Sequence, residues 1–192
     1  MGTLGGDFSF GNWLDEAGGV VGGATTENNQ LFRAFRWING RMTNLGSLNS
    51  NSDVCSIAFN SNSKGQIVGN SLPLCDDDPH PFLWENGGPM IDLNTFVSPG
   101  SGILLREAYF INEGGMIAAT GRIAGGEDHD RAFVLVPIAE DSDALAGGAQ
   151  AGAQVAQSAP TVTQVPVSPE AIAAFAARYT HRSRGLQTRA PK

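Results

Sequence analysis

Apolar and polar residues alternate along the first 137 residues in short runs that recur at a nearly constant interval. Residues 33–46 (RAFRWINGRMTNLG) resemble residues 80–93 (HPFLWENGGPMIDL) at an offset of 47, and HDRAFVLVP begins the pattern again 51 residues later. A second element recurs as DEAGGVVGG, NSKGQIVGN and NEGGMIAAT, at offsets of 47 and 50. Self-similarity at such a period is typical of repeat architectures.

Each unit predicts four short strands. The Phe-x-Trp alternation puts both aromatic rings on one face of a strand, and the following Asn-Gly favours a tight hairpin turn. A second strand follows at 41–45 and 90–93, a third at 54–59 and 108–111, and the fourth runs along Gly-x-Ile-Val-Gly. Four-stranded meanders repeated in this way predict an all-β fold with β-propeller-like repeats. The aromatic residues then belong to the packed core and not to a ligand cage.

The same residues resemble the HAF repeat, a bacterial family described as a probable extracellular repeat. HPFLWENG, GTLGGDFS, INEGG and GQIVG match its ordered elements over about residues 3–136. The family's leading histidine is present only as His80, with Arg33 and Arg131 at the matching positions. The resemblance implies a propeller-like all-β fold and often an exported protein, and it implies no particular chemistry.

The pattern predicts that the chain opens in the middle of a unit and ends its repeats with the first strand of another. About eleven strands are expected, in groups of two, four, four and one, whereas propellers typically have four to eight four-stranded blades. A truncated reading frame, an open array of sheets, or a homodimer that completes a six-bladed ring would each explain the shortfall. Pairing of exposed strand edges favours the homodimer.

Composition divides the chain into three parts. Residues 1–137 form the predicted β-repeat domain, with 15 acidic and 7 basic residues. Residues 138–167, rich in Ala, Gly, Gln and Pro, predict a disordered, flexible linker. Residues 168–192 predict a basic tail with a short amphipathic helix, with Ser168 as N-cap and Pro169 at the first helical position. The helix is either part of a solubilising tail or docks on an acidic repeat domain, its own or a partner's.

The overall charge and the cysteine content limit the possible partners and compartments. The formal net charge of -7 argues against nucleic acid as a partner, and no apolar run reaches the roughly 18 residues of a membrane span. The first residues, MGTLGGDFSF, lack the features of a signal peptide, so localisation stays open although the family resemblance points outside the cytoplasm. Cys55 and Cys75 would pair in a secreted protein; two unpaired, buried thiols are the favoured interpretation.

Acidic residues concentrate in the loops predicted to lead into each Phe-x-Trp strand, namely TTENNQLFR, CDDDPH and GGEDHDR. Neighbouring loops add Asn49, Asn51 and Asp53. Carboxylate and amide oxygens suit Ca²⁺, although neither acidic loop matches an EF-hand. The predicted calcium ligands are Asp76, Asp77, Asp78, Glu127 and Asp128. The alternative is a set of solvated acidic turns.

Metal-assisted hydrolysis is the chemistry that these loops favour. Ca²⁺ would polarise the carbonyl of a small ester or lactone, and His80 or His129 would activate water, oriented by Asp78 or Asp130. Calcium-dependent lactonases on propeller scaffolds offer a fold-level analogy. Because Asp and His vary together in these loops, a hydrolase is preferred to a non-catalytic extracellular-type module that binds a protein or glycan. An inactive fragment of a larger exported protein is a third possibility.

Overall fold

The computed structural model, which describes residues 1–49, 53–75, 78–126, 129–137, 170 and 172–174, contains eleven β-strands and two short 3-10 helices besides the helical residues of the tail. The all-β class predicted from the sequence is therefore confirmed. The linker predicted for residues 138–167 lies outside the described residues. The strands are β1 (Gly5–Leu14), β2 (Val20–Thr26), β3 (Phe32–Ile38), β4 (Arg41–Gly46), β5 (Asp53–Ser61), β6 (Ile67–Pro73), β7 (His80–Trp84), β8 (Ile91–Asp92), β9 (Ile103–Ile111), β10 (Ile117–Ile123) and β11 (Arg131–Leu135).

The strands form three antiparallel meanders in chain order. The first meander is β1–β4, the second is β5–β8 and the third is β9–β11. A single parallel bridge between Phe32 and Cys55 joins the first two meanders into one eight-stranded sheet. Both sheets are open: the larger runs from β1 to β8 and the smaller from β11 to β9. The described strands therefore do not form a closed propeller.

The grouping of strands differs from the one predicted. Eleven strands are present, as expected, but each meander begins with the long strand that was predicted to be third in its unit. The grouping differs because not every pair of consecutive strands is hydrogen-bonded. A tight turn joins the long strand to the Gly-x-Ile-Val-Gly strand, so these two pair, whereas β4 leads into β5 without pairing with it.

One turn is repeated three times, between the first two strands of each meander. Its first residue is Asp15, Asn62 or Asn112, and the side-chain oxygen of each accepts the backbone N–H four residues later, at 2.7, 3.1 and 2.9 Å. The fourth turn residue is a glycine in each copy, with φ of 79°, 79° and 82°. A left-handed backbone favours glycine, which explains the recurring Gly in this element.

A β-bulge also recurs near the end of each long strand. The register shifts between Gly11 and Trp13 in β1, between Ala58 and Asn60 in β5, and at the corresponding place in β9. A bulge adds one unpaired residue and increases the local twist. The three meanders thus share their turn, their bulge and their strand order.

The hydrophobic core lies between successive meanders. Phe82 and Trp84 of the second meander pack with Val21 and Ala34 of the first. The opposite face of the second meander packs on the third, where the core consists of Val68, Leu93, Leu105, Ala108, Ile111, Ile117 and Ala119. Phe35, Phe82 and Trp84 are buried, which confirms the predicted core role for these three, whereas Trp37 and Phe133 are only partly buried.

Polar side chains connect the meanders along one rim. Ser61 Oγ donates to Asp15 Oδ2 at 3.0 Å, and Asn62 Nδ2 donates to the backbone carbonyl of Asn112 at 3.0 Å. Asn62 also donates to Gln66 Oε1 at 2.8 Å and is 1% exposed. The amide that closes the second turn therefore also fixes the position of the third meander.

The described residues of the tail, Glu170 and residues 172–174, are helical. Ile172 is buried in a cluster with Phe32, Val54 and Leu72 at the junction of the first two meanders. The predicted helix therefore contacts the repeat domain of its own chain. The rest of the predicted helix lies outside the described residues. No helix within the described ranges is both long enough and apolar enough to cross a bilayer.

We expect Asn62→Ala to destabilise the fold more than Asn112→Ala. Both changes remove the turn bond, but only Asn62→Ala also removes the bond between meanders and leaves buried groups unpaired, at a cost of roughly 1–3 kcal/mol each. Urea unfolding of the two variants measures the difference in the free energy of unfolding. Equal losses would show that the bond between meanders contributes nothing.

Candidate functional site

The predicted site residues lie in two matching connections, β6–β7 and β10–β11. Of the five predicted calcium ligands, Asp76, Asp77, Glu127 and Asp128 fall outside the described residues, as does Asn51. Asp78, His80, His129 and Asp130 are described, and we call these four residues, together with Arg106 and Arg122, the acidic corner. Each of these four residues is at least partly exposed to solvent.

The described carboxylates of the two loops face arginines. Asp78 Oδ1 lies 3.9 Å from Arg106 Nη1, with the Asp78 side chain 70% exposed. Asp130 Oδ1 accepts a hydrogen bond from Arg122 Nε at 3.0 Å. Both arginines come from strands of the third meander, so β9 and β10 partly neutralise the loops beside them. Exposed pairs of this kind contribute about 0–1 kcal/mol to stability.

His80 faces a carboxylate that the sequence analysis did not select. His80 Nδ1 lies 3.8 Å from Asp92 Oδ2, which is an electrostatic contact and too long for a hydrogen bond. The other oxygen of Asp92 accepts from the backbone N–H of Asn94 at 2.8 Å and so caps a 3-10 turn. Asp92 is thereby held in place beside β7. The capping position was readable from the Asp-Leu-Asn sequence, but its proximity to His80 depends on the pairing of β7 with β8.

A disulfide anchors the β6–β7 acidic loop. Cys55 and Cys75 are bonded, with their Cα atoms 5.0 Å apart, so the preference for two unpaired thiols was wrong. Cys55 lies in β5 and Cys75 ends the turn after β6, where antiparallel pairing brings the two strands together. Leu74 and Cys75 have φ of 53° and 59°. Such a conformation is uncommon for bulky side chains and often occurs at functional sites.

The repeat position of His80 has a different environment in the first meander. Arg33 occupies it, is 5% exposed, and lies near the equally buried Asp53. Burial lowers the pKa of the Arg33 guanidinium, and the charge of Asp53 partly offsets this effect. Asp53 Oδ2 accepts from Ser71 Oγ at 2.7 Å and from the Asn49 N–H at 3.1 Å. At this repeat position the side chain is thus buried and structural in the first meander (Arg33) and partly exposed to solvent in the second (His80).

The grooves whose lining the structure describes do not include the acidic corner. Three grooves of about 330, 620 and 180 Å³ are lined by residues of the described chain. The two larger ones border the third meander and share Ile117 and Val134. None of these three is lined by Asp78, His80, His129 or Asp130.

Calcium stays a prediction. Within the described residues, no three His, Cys, Asp or Glu side chains are grouped so that they could hold a metal ion. Asp78 is the one predicted ligand that the structure describes, and a basic side chain faces it. The fit of the full predicted ligand set depends on four residues outside the described ranges.

Comparison of the chain with protein-family models, curated proteins and solved structures finds no match. The resemblance to the HAF repeat therefore rests on the quoted sequence elements alone.

We expect removal of the disulfide to destabilise the fold by about 3 kcal/mol, because the bond closes a loop of roughly 20 residues. Urea unfolding with and without a reducing agent measures this loss, and Cys55→Ser/Cys75→Ser should be insensitive to the reductant. Thiol titration of the denatured, unreduced protein should find no free thiol. Two free thiols per chain would contradict the assignment.

Proposed function

We propose that this chain is a non-catalytic repeat module that binds a protein through one face of its third meander. In the sheet register Ala118 lies opposite both Phe110 and Val134, so the three side chains share one face. Leu104 lies on the same face, and Met116 and Val136 border it. We call these six residues the end face: Leu104, Phe110, Met116, Ala118, Val134 and Val136.

The large apolar side chains of the end face are open to solvent, although the same register places Glu107, Thr120 and Arg122 on this face as well. Phe110, Val134 and Val136 are 60%, 66% and 63% exposed. The opposite face of the same sheet packs on the second meander through Ala119, Phe133 and Leu135 among others. Contiguous exposed apolar surface of this kind typically marks an interaction site. The observation that carries the proposal is that Phe110, Val134 and Val136 are exposed together at this face, where two described grooves adjoin it.

The acidic corner fits the role of a solvated, charged surface better than that of a catalytic site. Ligand and catalytic sites are usually concave and partly dry. Asp78 and Asp130 instead lie at the surface beside arginines. In this proposal the acidic loops contribute solubility, or a structural calcium site, and the end face contributes binding.

The disulfide supports a role in an oxidising compartment. Disulfides form and persist in secreted, periplasmic and cell-surface proteins and are rare in the cytosol. This agrees with the export that the HAF resemblance implies. The shared turn and bulge of the three meanders further support the proposal that they are repeats of one unit of propeller-blade type, arranged here as open sheets.

We expect a photo-crosslinker, benzoylphenylalanine in place of Ala118, to capture a protein when the module is exposed to the contents of an oxidising compartment. The same crosslinker in place of Thr43 is the control, because Thr43 is exposed on β4 of the first meander and lines neither groove that adjoins the end face. Capture at position 118 and not at position 43 supports the proposal. Equal capture at both positions, or none, would remove the end face as the binding site.

A calcium-dependent hydrolase of a small ester or lactone is the second candidate, favoured by the contact of His80 with Asp92. A histidine beside a fixed carboxylate is a common general-base arrangement. Asp92 would then orient His80, while His129, Asp78 and Asp130 keep their predicted roles in this candidate.

For the hydrolase we expect turnover of a chromogenic ester or an acyl lactone that requires CaCl₂ and is abolished by EDTA. His80→Ala should abolish this turnover without lowering the melting temperature, because the side chain is partly exposed. Asp92→Asn should reduce it if Asp92 orients the imidazole. A calcium-dependent melting temperature without turnover would indicate a structural metal and would leave only the binding module.

A further inference from the structure

The outer edge of β11 is unpaired among the described strands, whereas its counterparts in the other two meanders are covered. β3 lies between β2 and β4, and β7 lies between β6 and β8. β11 holds the same place in the third meander, but it pairs only with β10 and is the last strand of its sheet. An edge strand presents backbone N–H and C=O groups to which a further strand can bind.

The inward side chains of β11 are less covered than their counterparts in β7. Phe133 and Leu135 match Phe82 and Trp84 at an offset of 51. Phe82 and Trp84 are 0% and 8% exposed, whereas Phe133 and Leu135 are only partly buried. Grooves of about 620 and 180 Å³ adjoin β11, and Leu135 lines both. The edge of β11 therefore has room for more chain beside it.

The segments that cover β3 and β7 share one sequence pattern. Residues 42–45 are MTNL and residues 90–93 are MIDL, so each has the form Met-x-Asn/Asp-Leu. The register is also the same, because the asparagine or aspartate lies opposite the repeat phenylalanine, Phe35 or Phe82. The molecule thus shows twice which kind of segment fits this edge and in which register.

The methionine of this pattern fills a space that is open beside β11. Met90 is 9% exposed and belongs to the cluster of Phe82 and Trp84, against which Leu48 also packs. Phe96 matches Leu48 at an offset of 48, is 59% exposed and lines both grooves beside β11. No described residue takes the place of Met90 there. A long apolar side chain entering this groove would cover Phe96.

The described strands of a second copy do not supply the missing segment. The pattern Met-x-Asn/Asp-Leu occurs in the sequence only at residues 42–45 and 90–93. Leu45 and Leu93 are 6% and 0% exposed within their own clusters. Neither segment can leave its meander without exposing core residues, so a donor of this pattern must come from a different protein.

We propose that β11 binds an extended segment of another protein, of the form Met-x-Asn/Asp-Leu, as an added antiparallel strand. This inference rests on the proposed binding function and names the chemistry of the partner. Backbone hydrogen bonds provide affinity in strand addition, and pockets for alternate side chains provide specificity. By the register of β8 on β7, the methionine enters the groove beside Phe96, the polar residue lies opposite Phe133, and the residue between them lies opposite Val134 and extends the end face.

Binding of a labelled peptide to the full chain, followed by fluorescence anisotropy, tests this proposal. The probe is GRMTNLGS, the sequence of residues 40–47, and the control peptide GRDTNDGS replaces its methionine and leucine by aspartate. We expect the control peptide to bind at least about tenfold more weakly, because its charges would enter an apolar groove. Phe96→Asp should weaken binding of the probe to a similar extent. Thr43→Asp, at an exposed position that lines neither groove, should not.

A thermal melt of each variant excludes unfolding as the cause, and Val136→Asp replaces Phe96→Asp if the latter lowers the melting temperature. The absence of probe binding up to about 1 mM would overturn the proposal, as would equal affinity for the two peptides. So would β11 amides that exchange with solvent as slowly as those of β7 in the free chain, because the edge would then already be covered by this chain or a second copy. A chain that does not bind the probe but still captures a protein at position 118 would end strand addition and keep the binding function.

Discussion

The hydrogen bonds of one buried amide hold the middle of this molecule together. Asn62 closes its own turn and donates to the backbone of the third meander, so a local structure and a long-range contact depend on the same side chain. Neighbouring copies of the turn behave differently: Asp15 accepts from Ser61, and Asn112 is exposed. An interior position therefore demands both a donor and an acceptor from the turn residue. An amide side chain meets both requirements, which explains Asn62 in the middle copy. The turn bond alone needs only an acceptor, so the carboxylate of Asp15 also forms it.

The strands and turns could be predicted from the sequence because they depend on local patterns. Alternation of Phe82 with Trp84, and the Asn-Gly that follows β3, specify faces and hairpins within a few residues. The grouping into meanders could not be predicted in the same way. It depends on whether consecutive strands pair, and β4 and β5 do not, although they are as close in sequence as strands that do.

The contacts within the candidate site could not be predicted from the sequence for a similar reason. Asp92 faces His80 because β8 pairs with β7, and Cys55 reaches Cys75 because β5 pairs with β6. Neither relation follows from spacing in the sequence, since the two cysteines are 20 residues apart. The acidic loops themselves were evident from composition. What composition could not give was the presence of Arg106 on β9 and Arg122 on β10 beside them.

A repeat fold lets one position take different roles, because its environment changes from copy to copy. At the position of Arg33 and His80, burial next to Asp53 makes the first a structural cation, and exposure leaves the second available to solvent. The same reasoning applies to the end face. Asn60 accepts a backbone N–H of the third meander, whereas Phe110, at the matching position, lies on a face that no described strand covers. A polar side chain thus occurs where a neighbouring backbone needs an acceptor, and an exposed apolar side chain occurs at the matching position where none of the described strands does.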